Sequence, residues 1–463
     1  MVEAELVAVA FAGDGAGEGE LSWGQQDIWR AMVRQESWLP NGAWGPLPPG
    51  TTLDDVVDRL RYLMSRFPTA RTRLRFAPDG TPRQVVSAAG EIDLEIFDAG
   101  DADPAELAER LRLRLQDAPY DFERDWPIRM AAVRRGGELT HLIVVMCHLV
   151  TDGLGALVLL EELDKRPDGP VPGMQPLEQA RWQATPPGAR QNAMALRHWE
   201  SILREMPLRR YAEPADLPEP RHWRGEFRSP ALSLALRSLA ARTGIASTTI
   251  ALALFAVALT RVTGQGPAVI RPMVNNRFRP GLDRVVCMLA QYGLCRLDVA
   301  GITFVEAFDR ARRSALGTYK HAYYDPATMD ALLDRVAADR PGLQLPCYFN
   351  DRRDDPTAAG AEPSQAPTAA EVRAAAGAGE FRWTTRQDVP FEPLIVHLDE
   401  VPGGTQATIF LDTHVLGPAD AEALLRGLEA AAVEAALDPD APTGSTDEVN
   451  AWTAGEGGVT VCA

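Results

Sequence analysis

One stretch, residues 144–155, constrains the fold of this chain more than any other. The apolar run before it, residues 139–146, is typical of a buried strand, and the apolar residues of 154–163 recur at helical spacing. The pattern predicts a strand that turns directly into a helix. His148 and Asp152 lie in that turn, so we expect an imidazole at the mouth of a cleft and a carboxylate in the loop that shapes it.

The composition limits the class of protein and its partners. With 463 residues, 46% hydrophobic and 24% charged, the chain has the proportions of an ordinary globular protein with two or three domains. A net charge of −17 argues against nucleic acid or an anionic membrane as a partner. Apolar stretches such as 248–259 are shorter than the roughly 18 to 20 residues of a membrane span, and the acidic N-terminal residues lack the pattern of an export signal. We therefore expect a cytoplasmic location.

The cysteines and histidines show no spacing of a metal site. The five cysteines are odd in number and form no CxxC pair, so reduced thiols are the simplest interpretation. The histidines show no HExxH pattern. We expect no disulfide framework and no metal.

Residues 147–153 read Cys-His-Leu-Val-Thr-Asp-Gly. This segment resembles the His-His-x-x-x-Asp-Gly motif of the condensation domains of nonribosomal peptide synthetases, whose fold is similar to that of chloramphenicol acetyltransferase. Cys147 stands in the position of the first histidine. The resemblance implies that His148 is the catalytic residue, either as a general base or by orienting the acceptor and stabilising the tetrahedral intermediate. It also implies that Asp152 and Gly153 support the site structurally.

Two segments nearer the N-terminus also resemble this family. Ser22, Gln25 and Trp29 match a Ser-x-Ala-Gln-x-x-x-Trp pattern, which lines the entrance to the active-site tunnel in relatives. Arg71 follows a helix predicted over residues 53–67 and matches an arginine that pairs with the motif aspartate. Because a buried carboxylate needs a counter-ion, we expect an Asp152–Arg71 pair that supports the site, although a solvated arginine at a helix end is the alternative for Arg71.

Resemblance in the second half of the chain is looser. Asn276 and Arg277 fit an Asn-Arg step after a strand predicted over 267–273. Residues 285–296 resemble a Val-Gly-x-Phe-x-Asn-x-x-Pro-x-Arg segment beneath the tunnel, where Arg296 aligns but the asparagine and proline do not. Tyr292 and Arg296 are the expected tunnel residues of this segment. We expect a strand near residues 231–236 and a buried helix over residues 245–260.

The resemblance implies an α/β fold of two acetyltransferase-like lobes, arranged as a V-shaped pseudo-dimer with a central tunnel. We expect the N-terminal lobe over 1–175 and the C-terminal lobe over 176–463, joined by a Pro/Gly-rich linker at 164–187. Residues 351–379, rich in Ala, Pro and Gly, predict a mobile loop. Two lobes in one chain favour a monomer.

The resemblance implies an acyltransferase that forms an amide or ester from a thioester carried on phosphopantetheine, with no bound cofactor. The partners would be an acyl or peptidyl carrier protein in trans, or coenzyme A, and an amine or alcohol acceptor. Arg310, Arg312 and Arg313 cluster on a predicted helix and could dock an acidic carrier, although a solvated face explains them as well.

Two alternatives to this chemistry stay open. A thiolate nucleophile at Cys147 is one, but successive strand residues point to opposite faces, so Cys147 and His148 cannot form a hydrogen-bonded dyad. Cys147 is then a packing residue beside the site. The other alternative is a non-catalytic relative that recruits a tailoring enzyme to a carrier protein.

Overall fold

A computed structural model describes residues 4–353, 366–390 and 392–444. The described chain forms two compact units. The first comprises the chain up to Arg190 and residues 275–291, and the second comprises residues 191–274 and the chain from Tyr292 onward. The division that we predict at residue 175 stays a prediction.

The first unit contains a five-stranded sheet, in the order β1-β6-β7-β8-β3, and a three-stranded sheet, β2-β5-β4. Neighbouring strands of the larger sheet are antiparallel except β6 and β7. The strands are β1 Glu5–Ala12, β2 Gly17–Glu20, β3 Pro40–Pro46, β4 Thr72–Phe76, β5 Pro82–Val86, β6 Ala89–Asp98, β7 Ile128–Arg135 and β8 Glu138–Cys147. The helices are α1 Trp23–Arg34, α2 Leu53–Arg66, α3 Pro104–Asp117, α4 Gly153–Lys165 and α5 Pro176–Gln183; α6, Pro186–Glu205, crosses the boundary between the units.

Strand β8 separates two apolar cores of this unit. Leu142, Val144 and Met146 pack with the core that includes α2, whereas Ile143 and Val145 pack with the core that includes α3. This alternation is the two-residue period of a strand buried on both faces. It confirms the strand predicted at 139–146.

The stretch predicted as a linker is part of the first unit. Within it, α5 begins with a capping box from Gln175 to Glu178. The buried side chain of Gln179 donates to the Met174 carbonyl at 2.7 Å and to the Cys287 sulfur at 3.2 Å. The first bond closes a turn within the stretch, and the second ties it to residues 275–291, so the stretch is ordered although its composition is that of a linker.

The second unit contains an eight-stranded sheet within the described residues, in the order β11-β10-β13-β15-β16-β9-β14, with β12 paired to β10. Its strands are β9 His222–Ser229, β10 Ala268–Val274, β11 Gln291–Tyr292, β12 Cys295–Leu297, β13 Cys347–Asp351, β14 Glu380–Gln387, β15 Leu394–Val401 and β16 Gly404–Asp412. Its helices are α7 Pro230–Thr243, α8 Ser247–Thr263, α9 Phe304–Lys320, α10 Pro326–Asp339, α11 Ala369–Ala375 and α12 Pro418–Leu437.

Helix α7 corrects a prediction, because residues 231–236 form a helix and not a strand. Ser229 accepts from the Leu232 N–H as N-cap, Pro230 occupies the first turn, and Gly244 ends the helix in the left-handed conformation at φ +67°. The large and small residues that alternate over this stretch are nearly all buried against the core that contains α8 and α12. A helix buried on most of its surface has no polar face to reveal its period.

Other predictions in the second unit are confirmed. The buried helix predicted at 245–260 is α8, and β15 and β16 form the predicted antiparallel hairpin. Mixed strands and helices in both units confirm the α/β class. Part of the loop predicted over 351–379 lies outside the described residues; the rest includes the end of β13 and all of α11, whose Val372 is buried.

No single helix in the described ranges is long and apolar enough to cross a membrane. Helices α7 and α8, which are bent by 118° relative to each other, together have the length and the apolar composition of a membrane span.

Candidate active site

The predicted turn between a strand and a helix is present at residues 148–152. Strand β8 ends at Cys147, and Asp152 is the N-cap of α4, where its carboxylate accepts from the Gly155 N–H at 2.9 Å. An N-cap carboxylate satisfies one of the four backbone donors that the start of a helix leaves unpaired. The sequence therefore specifies this turn locally.

His148 is half-buried in this turn, and its orientation is fixed by a backbone hydrogen bond. Its Nδ1 lies 3.0 Å from the carbonyl oxygen of Thr151. Because a carbonyl can only accept, Nδ1 must be the donor. In the neutral imidazole the proton is then on Nδ1 and the lone pair is on Nε2. In this tautomer Nε2 is the atom that can accept a proton as a general base.

The Asp152 carboxylate is buried and fully engaged. One oxygen lies 2.8 Å from Nη1 of Arg277. The other accepts from the backbone N–H groups of Leu289 and Ala290, both at 3.0 Å. Together with the bond to Gly155, these contacts satisfy the charge and the lone pairs of the carboxylate. These contacts fix Asp152 in the turn that follows His148.

The predicted ion pair between Asp152 and Arg71 is wrong, because Arg71 does not contact Asp152. Arg71 is fully buried and donates to the carbonyl oxygens of Gly13, Asp14 and Ser87. Its position at the end of a short 3-10 helix, Pro68–Arg71, directs the guanidinium to a neighbouring turn. Arg71 supports the fold at that turn and makes no direct contribution to the motif.

Arg277 is the counter-ion of the site, and it reaches Asp152 from 125 residues further along the chain. Its Nη2 also donates to the carbonyl oxygens of Val285 at 3.1 Å and Cys287 at 3.3 Å. The preceding Asn276 has φ +59° and is buried. Asparagine tolerates this left-handed conformation better than most residues, so the Asn-Arg step noted in the sequence was the signal for this pair.

Gly155, and not Gly153, is the glycine that the site requires. A Cβ on Gly155 would collide with the Thr151 hydroxyl and lie 2.8 Å from Nη2 of Arg277. A Cβ on Gly153 would meet nothing within 4 Å. The absence of a side chain at Gly155 therefore lets the guanidinium approach Asp152.

We expect Gly155→Ala to lower the free energy of unfolding by about 1 to 3 kcal/mol, the usual range for overpacking. Gly153→Ala is the matched control, and its effect should stay below about 1 kcal/mol because the methyl group meets open space. Urea unfolding followed by circular dichroism measures both. Equal losses in the two variants would contradict the close approach at Gly155.

Cys147 is fully buried in the core that contains α3, and its sulfur lies 3.6 Å from the carbonyl oxygen of Trp38. Burial raises the pKa of its thiol to about 12, so the nucleophilic thiolate is scarce at neutral pH. This environment argues against the thiolate alternative.

In the folded protein at about pH 8, iodoacetamide should leave Cys147 and Cys287 unmodified, because burial raises the pKa of both thiols to about 12. The same peptides should label fully after unfolding in urea. Peptide mapping by mass spectrometry separates these sites from Cys462, which lies outside the described residues. Rapid labelling of Cys147 in the folded protein would restore the thiolate hypothesis.

The expected tunnel residues of the first unit belong to the start and middle of α1. Ser22 and Gln25 are buried against each other, with Gln25 Oε1 accepting from Ser22 N–H at 3.0 Å and from its hydroxyl at 3.1 Å. Trp29 packs edge-to-face on Phe122 with ring centroids 5.0 Å apart. A capping and packing role accounts for these contacts, and the tunnel assignment stays a prediction.

The remaining predicted residues belong to the second unit from β11 onward. Tyr292 packs against Tyr348 at a centroid distance of 4.3 Å. Arg296 is exposed and pairs with Glu205 at 2.9 Å. On α9, Arg310 donates to the Asp298 carbonyl and Arg312 pairs with Asp309 on the same helix; Arg313 is exposed. Their roles in a tunnel or in docking stay predictions.

Among the described residues, no group of three or more His, Cys, Asp and Glu side chains is placed to hold a metal ion.

Comparison with known proteins identifies the family. A sequence model of the condensation domain matches residues 47–349, which is more than half of the chain. Chondramide synthase of Chondromyces crocatus is 28% identical over 357 residues, covering 66% of this chain and 9% of the synthase. The chain spans less than a third of the length of the curated relatives that it matches first.

Solved structures share the fold at low identity. A condensation domain that mediates chain release from the enacyloxin polyketide synthase has a TM-score of 0.70 at 19% identity, covering 92% of this chain and 84% of that one. The X-domain of teicoplanin biosynthesis, in complex with OxyB, has a TM-score of 0.62 at 18% identity, covering 94% and 96%. The chain belongs to the condensation-domain family.

Proposed function

We propose that this protein is a condensation-type acyltransferase of natural-product biosynthesis. It joins an acyl thioester, presented on the phosphopantetheine of a carrier protein or coenzyme A, to an amine or hydroxyl acceptor. The observation that carries the proposal is the hydrogen bond from His148 Nδ1 to the Thr151 carbonyl, which leaves the lone pair of the neutral ring on Nε2.

The proposed acyl transfer requires one general base and two substrates that are held next to each other. The acceptor nitrogen or oxygen attacks the thioester carbonyl while Nε2 of His148 takes the acceptor's proton. The tetrahedral intermediate then collapses, the C–S bond breaks, and the proton passes to the leaving thiolate. A new C–N or C–O bond forms, and the free phosphopantetheine thiol is the second product. Positioning of the two substrates can lower the barrier by about 7 to 11 kcal/mol.

The buried pair supports this chemistry indirectly. Asp152 and Arg277 join the start of α4 to residues 285–290, so the loop that carries His148 is held at its C-terminal end. A base must stay within hydrogen-bond reach of the proton that it removes, and a fixed loop keeps that distance. Asp152 is a positioning residue in this proposal.

The cysteine in the first motif position is compatible with catalysis. That side chain is fully buried among residues such as Trp38 and Val145. The residue in this position therefore packs in the core. A cysteine in place of histidine there alters the packing of the core more than it alters the groups that react. The proposal gives Cys147 a structural role beside the site.

A non-catalytic recruiter is the second candidate, and two observations favour it. Cys147 departs from the family motif, and the X-domain that forms a complex with OxyB shares the fold. In this alternative the chain would bind a carrier protein and a tailoring enzyme without turnover.

The test is intact-mass spectrometry of an acyl-loaded carrier protein mixed with the protein and with candidate amines and alcohols. Product mass together with released free-thiol carrier supports the acyltransferase. A carrier that binds, measured by calorimetry, but stays acylated with every acceptor contradicts it and favours the recruiter. The same samples without the protein give the rate of spontaneous aminolysis.

A further inference from the structure

The first unit contains a cavity whose lining residues do not include His148. Its volume is about 530 Å³, within the range of small-molecule sites. It is bounded by the end of α1, the loop between α1 and β3, the end of α3 and residues 118–122. All of these segments belong to the first unit.

Four aromatic residues line the cavity: Trp29, Trp38, Tyr120 and Phe122. Trp38 stacks on Tyr120 with centroids 4.7 Å apart and an interplanar angle of 6°. Phe122 packs edge-to-face on Tyr120 at 4.9 Å and on Trp29 at 5.0 Å. Four connected rings give a rigid surface whose π faces are electronegative. Such a surface attracts a cation that carries apolar groups.

The structure already contains one cation on these rings. The guanidinium of Arg129 lies 4.8 Å from the Trp38 ring centroid and 5.6 Å from that of Tyr120. It also donates to the carbonyl oxygens of Leu115 and Ala118. Arg129 does not line the cavity, so Trp29 and Phe122 remain as the aromatic wall for a second cation.

The charged side chains of the cavity are carboxylates. Among the described lining residues, Glu36 and Asp117 are acidic and none is lysine or arginine. Both carboxylates are exposed; Glu36 lies in the loop after α1 and Asp117 is the last residue of α3. Their field favours a positively charged ligand and disfavours an anion.

The loop that shapes the cavity is strained. Glu36 has φ +49° and Leu39 has φ +45°. Residues other than Gly, Asn and Asp rarely adopt this left-handed backbone conformation. Two such residues within four positions flank the lining residues Ser37 and Trp38. Strain of this kind concentrates at ligand sites.

We propose that this cavity is a binding site for an organic ammonium ion with an apolar body, such as an arylalkylamine. The aromatic wall takes the body and the cation, and Glu36 and Asp117 supply the opposite charge. His148 does not line this cavity; its Trp38 contacts Cys147 on the side of β8 that packs with the α3 core. The proposal does not rest on the proposed function, because binding needs no turnover.

The test is titration calorimetry with three probes of matched size: phenethylammonium, 2-phenylethanol and phenylacetate. At low ionic strength the ammonium should bind about tenfold more tightly than the alcohol, which corresponds to about 1.4 kcal/mol, and phenylacetate should bind more weakly than both. Quenching of tryptophan fluorescence, lost in Trp29→Leu, reports that the probe occupies this cavity.

The decisive variant is Glu36→Gln with Asp117→Asn, which should bring the ammonium close to the affinity of the alcohol. The control is Asp101→Asn with Glu138→Gln, two exposed acids before α3 and at the first residue of β8, far from the cavity. It should keep the tenfold preference. Equal binding of ammonium and alcohol by the wild type, no binding of ammonium, or an unchanged preference in the decisive variant would each overturn the proposal.

Discussion

Replacing Arg277 with leucine should lower the free energy of unfolding by about 3 to 5 kcal/mol. The substitution leaves the Asp152 carboxylate buried without its counter-ion, and it removes the donors to the carbonyl oxygens of Val285 and Cys287. Removing one partner of a buried ion pair is costly because the remaining charge has lost its hydration without compensation. Urea unfolding at neutral pH measures the loss.

Arg284→Leu is the matched control in the same segment. Arg284 is 42% exposed and pairs with Glu161 at 3.0 Å, so its loss should cost no more than about 1 kcal/mol. A double variant with Asp152→Asn should cost less than the sum of the single changes, because the two residues share one interaction. Similar losses for Arg277→Leu and Arg284→Leu would show that burial of the Asp152 pair does not stabilise the unit.

The ion pair between Asp152 and Arg277 shows which part of the site local sequence patterns cannot predict. The strand, the turn and α4 follow from short-range rules: an apolar run over 139–146, an N-cap at Asp152 and helical spacing after it. The counter-ion lies 125 residues away and is chosen by packing between segments that no local pattern relates. Buried charge predicts that a partner exists, but it does not say which arginine provides it.

The same limit applies to α7 and to the cavity. Residues 231–236 alternate like a strand, but their helix is buried on most sides, so its sequence carries no helical period. The cavity joins α1 to the end of α3, and its four rings come from residues 29, 38, 120 and 122. Each ring alone is an ordinary packing residue, and only the tertiary structure brings them together.

His148→Ala should slow acyl transfer by about 10²- to 10⁴-fold, the contribution typical of a positioned general base. The measurement is the initial rate of product formation from an acyl-loaded carrier, followed by intact mass with the acceptor in excess. Because His148 is half-buried in a turn, the free energy of unfolding should change by no more than about 1 kcal/mol. A lower rate with unchanged stability would then reflect the loss of the imidazole from the reaction and not unfolding of the protein.

His141→Ala is the matched control for that change. His141 is also half-buried, belongs to the same strand β8 and packs against Trp44 at 5.5 Å between ring centroids, but it is seven residues before the turn. It should keep the wild-type rate. An unchanged rate in His148→Ala would remove the base from the proposed mechanism and require the substrates to react through positioning alone. A rate lost equally in both variants would indicate damage to β8, whereas loss in His148→Ala alone, with carrier binding retained, shows that acyl transfer requires the His148 imidazole.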